Sequence, residues 1–491
     1  MSSENTTFAK KLSWRDGVAF ALIIPVAIFA TVAPAIAAVG SLGMVLIIAI
    51  ASVIALLQNR LFAEMASMFP DKPGGIAMYA NEAWKRLCSP IGVIASYGYW
   101  AGWAFGMGVF ALAFGSLVQE EFFADSTWSI ALGNADVGLA HFIGIGVLIV
   151  STVLNSYGVE LTIGLNKILG GVAMLMIAVV VIGPFVTGDF DASGLTFGLN
   201  TEGLEWSGLK LAMVFLFLFG WTVYGTEICA SIAPEYKDEK RDVNRALIGS
   251  ALLTLVVAVL VPIGLGGTIG DGAIAEDPAS AYVAAFHEVL GGFSVFVTLV
   301  LAASMLMILN VASADAGRAL FGIARDGMGP RQLAVLNRRR QPARAIIVGS
   351  VVNVALLLFV GNVLGIIFAA NVGYIAAILL SLVGYLMLRR TNPRPTRAIR
   401  LGPAWVGVAF VLTVYTAALL AVGFANPDLG GYGGRTEQVV GLAVLLLPLL
   451  LWAYRQVLQE KRPLVMRVTE RPVDTSELLD PQNSERHEHE H

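Results

Sequence analysis

The sequence predicts an all-α integral membrane protein of twelve transmembrane helices, two repeated halves of five followed by two extra helices. Three observations carry this. The 491 residues are 57% hydrophobic and 14% charged, with a mean hydropathy of +0.75, whereas soluble domains carry about 25% charged residues. The apolar residues gather in twelve runs, at 17–39, 43–66, 90–116, 138–157, 162–186, 209–233, 246–269, 290–314, 345–360, 363–388, 404–424 and 438–454. Finally, the first and sixth runs are interrupted, at Ile24–Phe29 and Phe219–Glu227, and breaks in corresponding segments point to an internal repeat.

Each run is long enough for a helix across about 30 Å of hydrocarbon, with 345–360 the shortest. Inside a bilayer every backbone polar group must bond internally, so the runs are read as helices. Basic residues then check the count. Lys10, Lys11 and Arg15 precede run one; Lys72, Lys85 and Arg86 follow run two; Lys237, Lys240, Arg241 and Arg245 follow run six. Seven arginines between Arg318 and Arg344 follow run eight, and Arg389 to Arg400 follow run ten. The alternate loops hold only Lys210 and Arg435, and three of them are acidic. The positive-inside rule puts both termini in the cytoplasm, in an inner (cell) membrane.

The chain divides into a tail at 1–14, a membrane domain at 15–455 and a charged tail at 456–491 that is disordered or surface-bound. Within the membrane domain the repeats fall at about 15–186 and 209–388, with the extra helices at about 404–454. The terminal His487–His491 run reads as a tag or solvated tail, not a metal site. Met1–Leu12 lacks a small-residue cleavage site, so no removable signal peptide is expected. Cys88 and Cys229 define neither a disulfide framework nor metal spacing. Net charge −3 gives no reason to expect nucleic acid. No phosphate-binding loop and no cluster of nucleophile, base or metal ligands stands out, which argues against ATP-driven work, an enzyme or a cofactor.

The two breaks carry the chemistry. Pro25 lacks a backbone N–H and frees a carbonyl one turn earlier. Gly220 and Gly225 permit non-helical backbone, and half-helix ends there would aim dipoles at a charged solute. Trp221 and Tyr224 offer flat faces for a substrate or a cation. Val26, Ala27, Ile28 and Phe29 from the first break, with Phe219, Gly220, Trp221, Thr222, Tyr224 and Gly225 from the second, are the candidate solute-binding residues. Glu227 is costly in lipid and must face a partner; it either bonds backbone freed by the break or takes part in coupling.

Segment three adds Gly98, Gly102 and Gly106, a four-residue spacing that lets another helix approach closely. Beside them Tyr97, Tyr99, Trp100 and Trp103 either anchor the helix at the interface or line a cavity; Trp103 is taken as a site candidate. Glu64 lies four residues from Arg60, and an i, i+4 pair is the simplest reading. Lys167, one turn into segment five, either snorkels to the cytoplasm or carries a proton. Ser304, Asn310 and Ser313 of segment eight could hold a solute or cation, or bond a neighbouring helix. Asn310 joins the site candidates; Glu64, Lys167, Glu227, Ser304 and Ser313 are coupling or gating candidates.

Taken together these segments resemble the amino acid–polyamine–organocation (APC) permeases. Ala63-Glu64 with Pro70, Pro73-Gly74-Gly75 and Tyr79, then Asn155 with Gly158, are similar to that family's signatures. So are Trp221, Gly225 and Glu227 in helix six, and Arg318 with Ala324-Arg325-Asp326-Gly327 and Pro330. The resemblance runs from about residue 15 to 390. It implies a leucine-transporter-like fold and secondary active transport of an amino acid or related organic amine by alternating access. It also implies a solute held between the helix-one and helix-six breaks, with Trp221 as a gate, and H+ or Na+ coupling or solute exchange. The chain departs from the family where Pro25 and Ala27 replace the glycines of its helix-one Gly-x-Gly-Ile-Phe break. The lysine of some proton-coupled members falls near Ala173 here, not at Lys167.

Expected partners are a small organic solute and membrane lipid; the oligomeric state is not legible. The nearest alternative is a polyamine or other organic-solute exchanger, motivated by the altered helix-one motif, and a more remote one is a non-transporting membrane sensor. A channel would instead be expected to carry a charged or carbonyl-lined filter.

Overall fold

Helix α1 (Trp14–Ala21) starts where the Ser13 N–H and hydroxyl both donate to Asp16, at 2.9 and 2.8 Å. Such a carboxylate at the first turn satisfies donors that the helix itself leaves unpaired. A single turn at Leu22 leads into α2 (Ile23–Met68). The computed structural model describes residues 8–69, 72–132, 135–199, 206–278, 281–291, 294–359, 363–391, 399–430 and 434–468.

The helix-one break is not where the sequence places it. Residues 24–29 are helical, and the Val26 N–H donates to the Leu22 carbonyl at 3.3 Å. The discontinuity is the turn at Leu22. Pro25 falls in the first turn of α2, where a missing N–H leaves no helical bond unmade. An unbroken helix of the length of α2 would reach about 70 Å, more than twice a bilayer's hydrocarbon thickness. Gly40 divides it, at φ 72° and ψ 161°. That left-handed φ suits glycine alone, and a methyl group there would lie 2.5 Å from the Thr196 carbonyl. Asp271 braces this corner: it accepts from the Ser41 N–H at 2.8 Å, the Ser41 hydroxyl, and the Thr196 N–H and hydroxyl at 2.8 and 2.7 Å.

The chain continues through α3 (Ile76–Trp84), α4 (Ser89–Phe122), strands β1 (Ser129–Leu132) and β2 (Ala135–Gly138), α5 (Leu139–Tyr157) and α6 (Val159–Thr187). The antiparallel hairpin, with Ser129 opposite Gly138, modifies the all-α expectation. It lies in a loop, where alternating polar and apolar residues pair without a membrane-length run. Helix α3 is buried along its whole length in a loop that the apolar runs left unassigned.

The second half holds α7 (Trp206–Tyr224), α8 (Glu239–Ile269), α9 (Asp271–Glu276), α10 (Ala281–Leu290), α11 (Ser294–Arg325), α12 (Ala343–Phe359) and α13 (Val363–Thr391). Helices α14 (Ala404–Ala425), α15 (Arg435–Leu446) and α16 (Pro448–Tyr454) complete it. Among the described residues nine helices are long and apolar enough to cross a bilayer, or ten with the bent helix at Gly220–Thr222 counted as one span. The protein is therefore an almost wholly helical, multi-pass membrane protein. The tail expected as disordered or surface-bound is held, in its described part, against the α3–α4 loop: Ser89 N–H donates to Met466 and Val468 N–H to Lys85, both at 2.8 Å.

Helix α4 is the central post, and its glycines explain why. A methyl group at Gly98 would sit 2.6 Å from the Gly373 carbonyl, and one at Gly102 would sit 2.7 Å from the Tyr374 Cβ. The backbones of α4 and α13 meet at Gly98 and Gly373 because neither residue carries a side chain, and Gly102 makes room for the Tyr374 ring. Asn353 of α12 ties in from another side, accepting from Gly108 N–H at 2.7 Å and donating to the Ala104 carbonyl at 2.8 Å. Replacing Gly98 by Val forces α13 away and is expected to cost about 1–3 kcal/mol. A lowered melting temperature of the detergent-purified protein reports it, and an unchanged one removes this contact from the packing core.

Candidate functional site

The apolar run at 209–233 is bent within the stretch that the sequence marks. Helix α7 ends at Tyr224, and Gly225–Ala230 continues as a tighter 3-10 helix. The pieces 208–220 and 222–230 meet at 44°. Gly225 is needed because two other helices, α2 and α4, press on it. A methyl group there would lie 2.5 Å from Ile24 Cδ1 and 3.0 Å from the Trp103 ring. Gly220 similarly admits Ile375 of α13 at 2.9 Å. Helix one, the α7 break, α4 and α13 therefore close on one point.

Two residues past Gly225, Glu227 is 1% exposed and enclosed by tyrosines. Tyr374 donates to its Oε1, and the Tyr99 hydroxyl lies 3.2 Å from its Oε2. Trp103 lies edge-on to Tyr374 with ring centroids 6.1 Å apart. The same Tyr99 hydroxyl is 3.2 Å from Asp315 Oδ1 on α11. Tyr224 meets Tyr415 of α14 hydroxyl to hydroxyl at 3.2 Å. Asn59 of α2 donates to the Thr226 hydroxyl at 2.9 Å, and Asn371 to the Phe217 carbonyl at 2.6 Å. The freed backbone and polar side chains of the break are thus satisfied from neighbouring helices, as a nonpolar medium requires.

Of the predicted site residues, Phe219, Gly220, Thr222, Tyr224, Gly225 and Trp103 lie at or beside this break and are buried. Val26 and Ala27 are buried two and three residues beyond Ile24. The side chains of Ile28, Phe29 and Trp221 lie outside the described residues. Asn310 belongs to another set of bonds: its amide oxygen accepts from Asn155 of α5 at 2.9 Å, and Thr162 of α6 donates to Asn155 at 2.6 Å. This is the helix-bonding alternative. Ser304 donates within its own helix to Val300 at 2.8 Å, whereas Ser313 Oγ has no partner among the described residues.

One predicted pairing changes. Glu64 does not pair with Arg60 but with Arg389 and the Tyr385 hydroxyl, each at 2.7 Å. Arg60 turns to Asn244 at 3.2 Å. A carboxylate with no exposed surface is drawn to partners on α13, since a residue on its own helix face would leave it half paired. Lys167 is 53% exposed and meets Asp16 at 2.6 Å, the snorkelling geometry.

Sequence reasoning missed Asp315, because the eighth run was ended at residue 314 while α11 continues to Arg325. An ionisable residue inside an apolar helix is itself the signal that finds it. It also missed Tyr374, which no motif marks, and the structural role of Arg318. That arginine, 1% exposed, bonds Glu235 at 2.6 Å, Gln341 at 3.0 Å and the Ala314 carbonyl at 3.0 Å. Losing one partner of a pair buried this deeply typically costs about 3–5 kcal/mol. The N-terminal strand lies against it: Lys11 and Leu12 N–H groups both reach the Glu235 carbonyl at 2.9 Å, and the Phe8 ring faces the guanidinium at 5.8 Å.

At the same basic end Gly74 and Gly75, at φ 94° and 63°, make a turn only glycines hold comfortably. It brings Gly74 N–H within 3.3 Å of the Ser231 carbonyl. The turn sets Lys72 between Asp326 at 2.7 Å and Glu82 at 3.0 Å, with Lys85 also 2.7 Å from Glu82. Burial works against the Lys72 ammonium, but Asp326 and Glu82 outweigh it and hold its pKa above the usual lysine range. Burial likewise pushes the Glu82 carboxyl up, and Lys72 and Lys85 outweigh that and hold it below 4.5.

A multi-pass helical protein with a bent apolar helix at 208–230 beside buried tryptophan, tyrosine and carboxylate belongs to the class of solute carriers. The chain is a member of the amino acid permease family, whose model matches residues 13–440. It is thus a permease and not an enzyme. An uncharacterised transporter of Mycobacterium tuberculosis is 27% identical over 85% of this chain and 90% of its own length. A probable GABA permease of Pseudomonas aeruginosa is 25% identical over 67% of each chain. A branched-chain amino acid permease of Lactococcus lactis is 25% identical over 68% of this chain and 72% of its own.

The Lys72 cluster predicts a pH window. Glu82, depressed when folded, adds stability above about 4.5 that is lost as pH falls through its folded value. Lys72, raised when folded, adds stability below about 10.5 that is lost as pH rises through its folded value. Lys72→Met should lower the melting temperature between those limits, and the deficit should shrink below pH 4.5. A deficit independent of pH would remove charge pairing as its cause.

Proposed function

We propose that the protein is a secondary active transporter that moves an amino acid or related organic amine across the inner membrane by alternating access. The convergence of Ile24, Trp103 and Tyr374 on the α7 break at Gly225 carries this reading. A break that bends the helix by 44° lets its two parts move separately, and aromatic rings beside it can close over a solute. In this reading Trp103, Phe219, Gly220, Trp221, Thr222, Tyr224 and Gly225 form the solute site. The names of the Pseudomonas and Lactococcus relatives support the substrate class.

The twelve apolar runs and the alternation of their basic loops support twelve helices with both termini in the cytoplasm. A turn in helix one at Leu22 and a break in helix six at Gly225 support two repeats of five with two further helices. On this orientation the Arg318, Lys72 and Glu64 pairs close the cytoplasmic end, and Asp271 braces the opposite end.

One observation favours the alternative of a polyamine or other organic-solute exchanger. The Val26 N–H is used by Leu22, which withdraws one helix-one donor from a solute carboxylate. A carboxylate at the break, Glu227, offers negative charge instead.

Uptake and counterflow in vesicles containing the purified protein separate these readings. Saturable flux of leucine or γ-aminobutyrate supports the first, and saturable flux of polyamines alone supports the second. No saturable flux of any amino acid or amine, under an imposed H+ or Na+ gradient, overturns both. Within the transport reading, Trp103→Ala should raise the concentration for half-maximal uptake by roughly tenfold, about 1.4 kcal/mol of binding. Unchanged uptake by a well-folded variant removes Trp103 from the site.

A further inference from the structure

The hydroxyl of Tyr99 faces two acceptors with one proton. Its oxygen is 3.2 Å from Glu227 Oε2 and 3.2 Å from Asp315 Oδ1. A phenol donates one hydrogen bond and accepts others, and an ionised carboxylate only accepts. Both contacts are hydrogen bonds only if one carboxyl brings a proton of its own. The surroundings make the same demand. Glu227, Asp315 and Tyr99 are all at most 1% exposed, and Arg318, one turn from Asp315, is already paired with Glu235. Buried like charges without a counter-ion are expensive, and neutralisation relieves the cost.

Donor placement decides which carboxyl is neutral. Glu227 receives Tyr374 on one oxygen and Tyr99 on the other, the surroundings of a carboxylate. Asp315 Oδ2 has no hydrogen-bond partner among the described residues, the Ser231 hydroxyl donates to the Ile228 carbonyl, and Arg318 is turned mainly to Glu235. The groups facing the pair are Tyr99 and Trp103 from α4, Cys229 and Ser231 from the broken segment, Arg318 from α11 and Tyr374 from α13. Only Arg318 among them is cationic.

We propose that Asp315 is the proton-carrying residue of this permease, donating its carboxylic hydrogen to the Tyr99 oxygen while Tyr99 donates to Glu227. The proton stays on Asp315 as long as α4, α11 and the α7 break are closed on one another. Parting of these elements breaks the chain of bonds at Tyr99 and exposes Asp315, so the proton leaves when the gate opens. The coupling to solute movement rests on the transport reading above; the shared proton does not.

Infrared difference spectra of the purified full-length protein, recorded across pH, test the proton itself. A carboxylic acid C=O band persisting at neutral pH is expected, lost in Asp315→Asn and kept in Glu227→Gln. Its absence from the unmodified protein, or its survival in Asp315→Asn, overturns the assignment. Tyr99→Phe keeps the ring and removes the bridging hydroxyl, so it should shift the band; an unshifted band overturns the bridge. In vesicles with an internal pH dye, leucine or γ-aminobutyrate flux should carry protons in the unmodified protein and none in Asp315→Asn. Proton movement that persists in the variant overturns the coupling. Absence of any flux with the infrared band intact sinks the transport reading and leaves the proton site standing.

Discussion

A helix that breaks inside a bilayer must find partners for everything the break releases, and the rest of this molecule is organised around that need. At Gly225 the α-helical ladder gives way to tighter turns, and Thr226 and Glu227 there, with the Phe217 carbonyl farther back in α7, are polar groups in an apolar medium. Asn59, Asn371, Tyr99 and Tyr374 come from three different helices to meet them. Each of those helices is fixed in turn by what it brings. Helix α4 can reach Glu227 with Tyr99 only because Gly98 and Gly102 let α13 lie against it. The glycines and the buried carboxylate are therefore one arrangement, since close backbone approach is what delivers the tyrosines.

The two ends of the bundle are held in different ways. At the basic end the links are ion pairs between elements far apart in sequence: Arg318 with Glu235, Arg389 with Glu64, and Lys72 with Asp326. Charge pairs of this kind are directional, and they are weakened at once when water enters between the partners. At the other end Asp271 gathers two backbone N–H groups and two hydroxyls around the Gly40 corner. In the transport reading proposed above, a closure made of separable pairs at one end and a braced corner at the other suits a carrier whose ends part in turn.

Much of this was legible in the residues. Hydropathy and basic loops marked the helices because bilayer thickness and backbone satisfaction leave few alternatives. Phe219–Glu227 was recognisable because glycine, aromatics and a carboxylate have no other reason to share an apolar run. Partners were less visible. Glu64 has Arg60 one turn away in sequence, yet its oxygens meet Arg389 and Tyr385. Asn310 resembled a solute ligand and instead bonds Asn155. Pro25 resembled a break and lies in the first turn of a helix, because the discontinuity is three residues earlier at Leu22. Asp315 was lost to a helix boundary set one residue short.

By itself the sequence determined the class of molecule, its many apolar membrane helices and the bend near Gly220–Gly225, since these follow from local composition measured against a bilayer. Only the tertiary structure decided that Tyr99 stands between Glu227 and Asp315, residues 88 positions apart in the chain. It also decided that Ile24 and Trp103 close on Gly225. Periodicity and motif describe which face of a helix is apolar. They do not describe which helix comes to lie against that face, and the chemistry of a buried proton or solute depends on that neighbour.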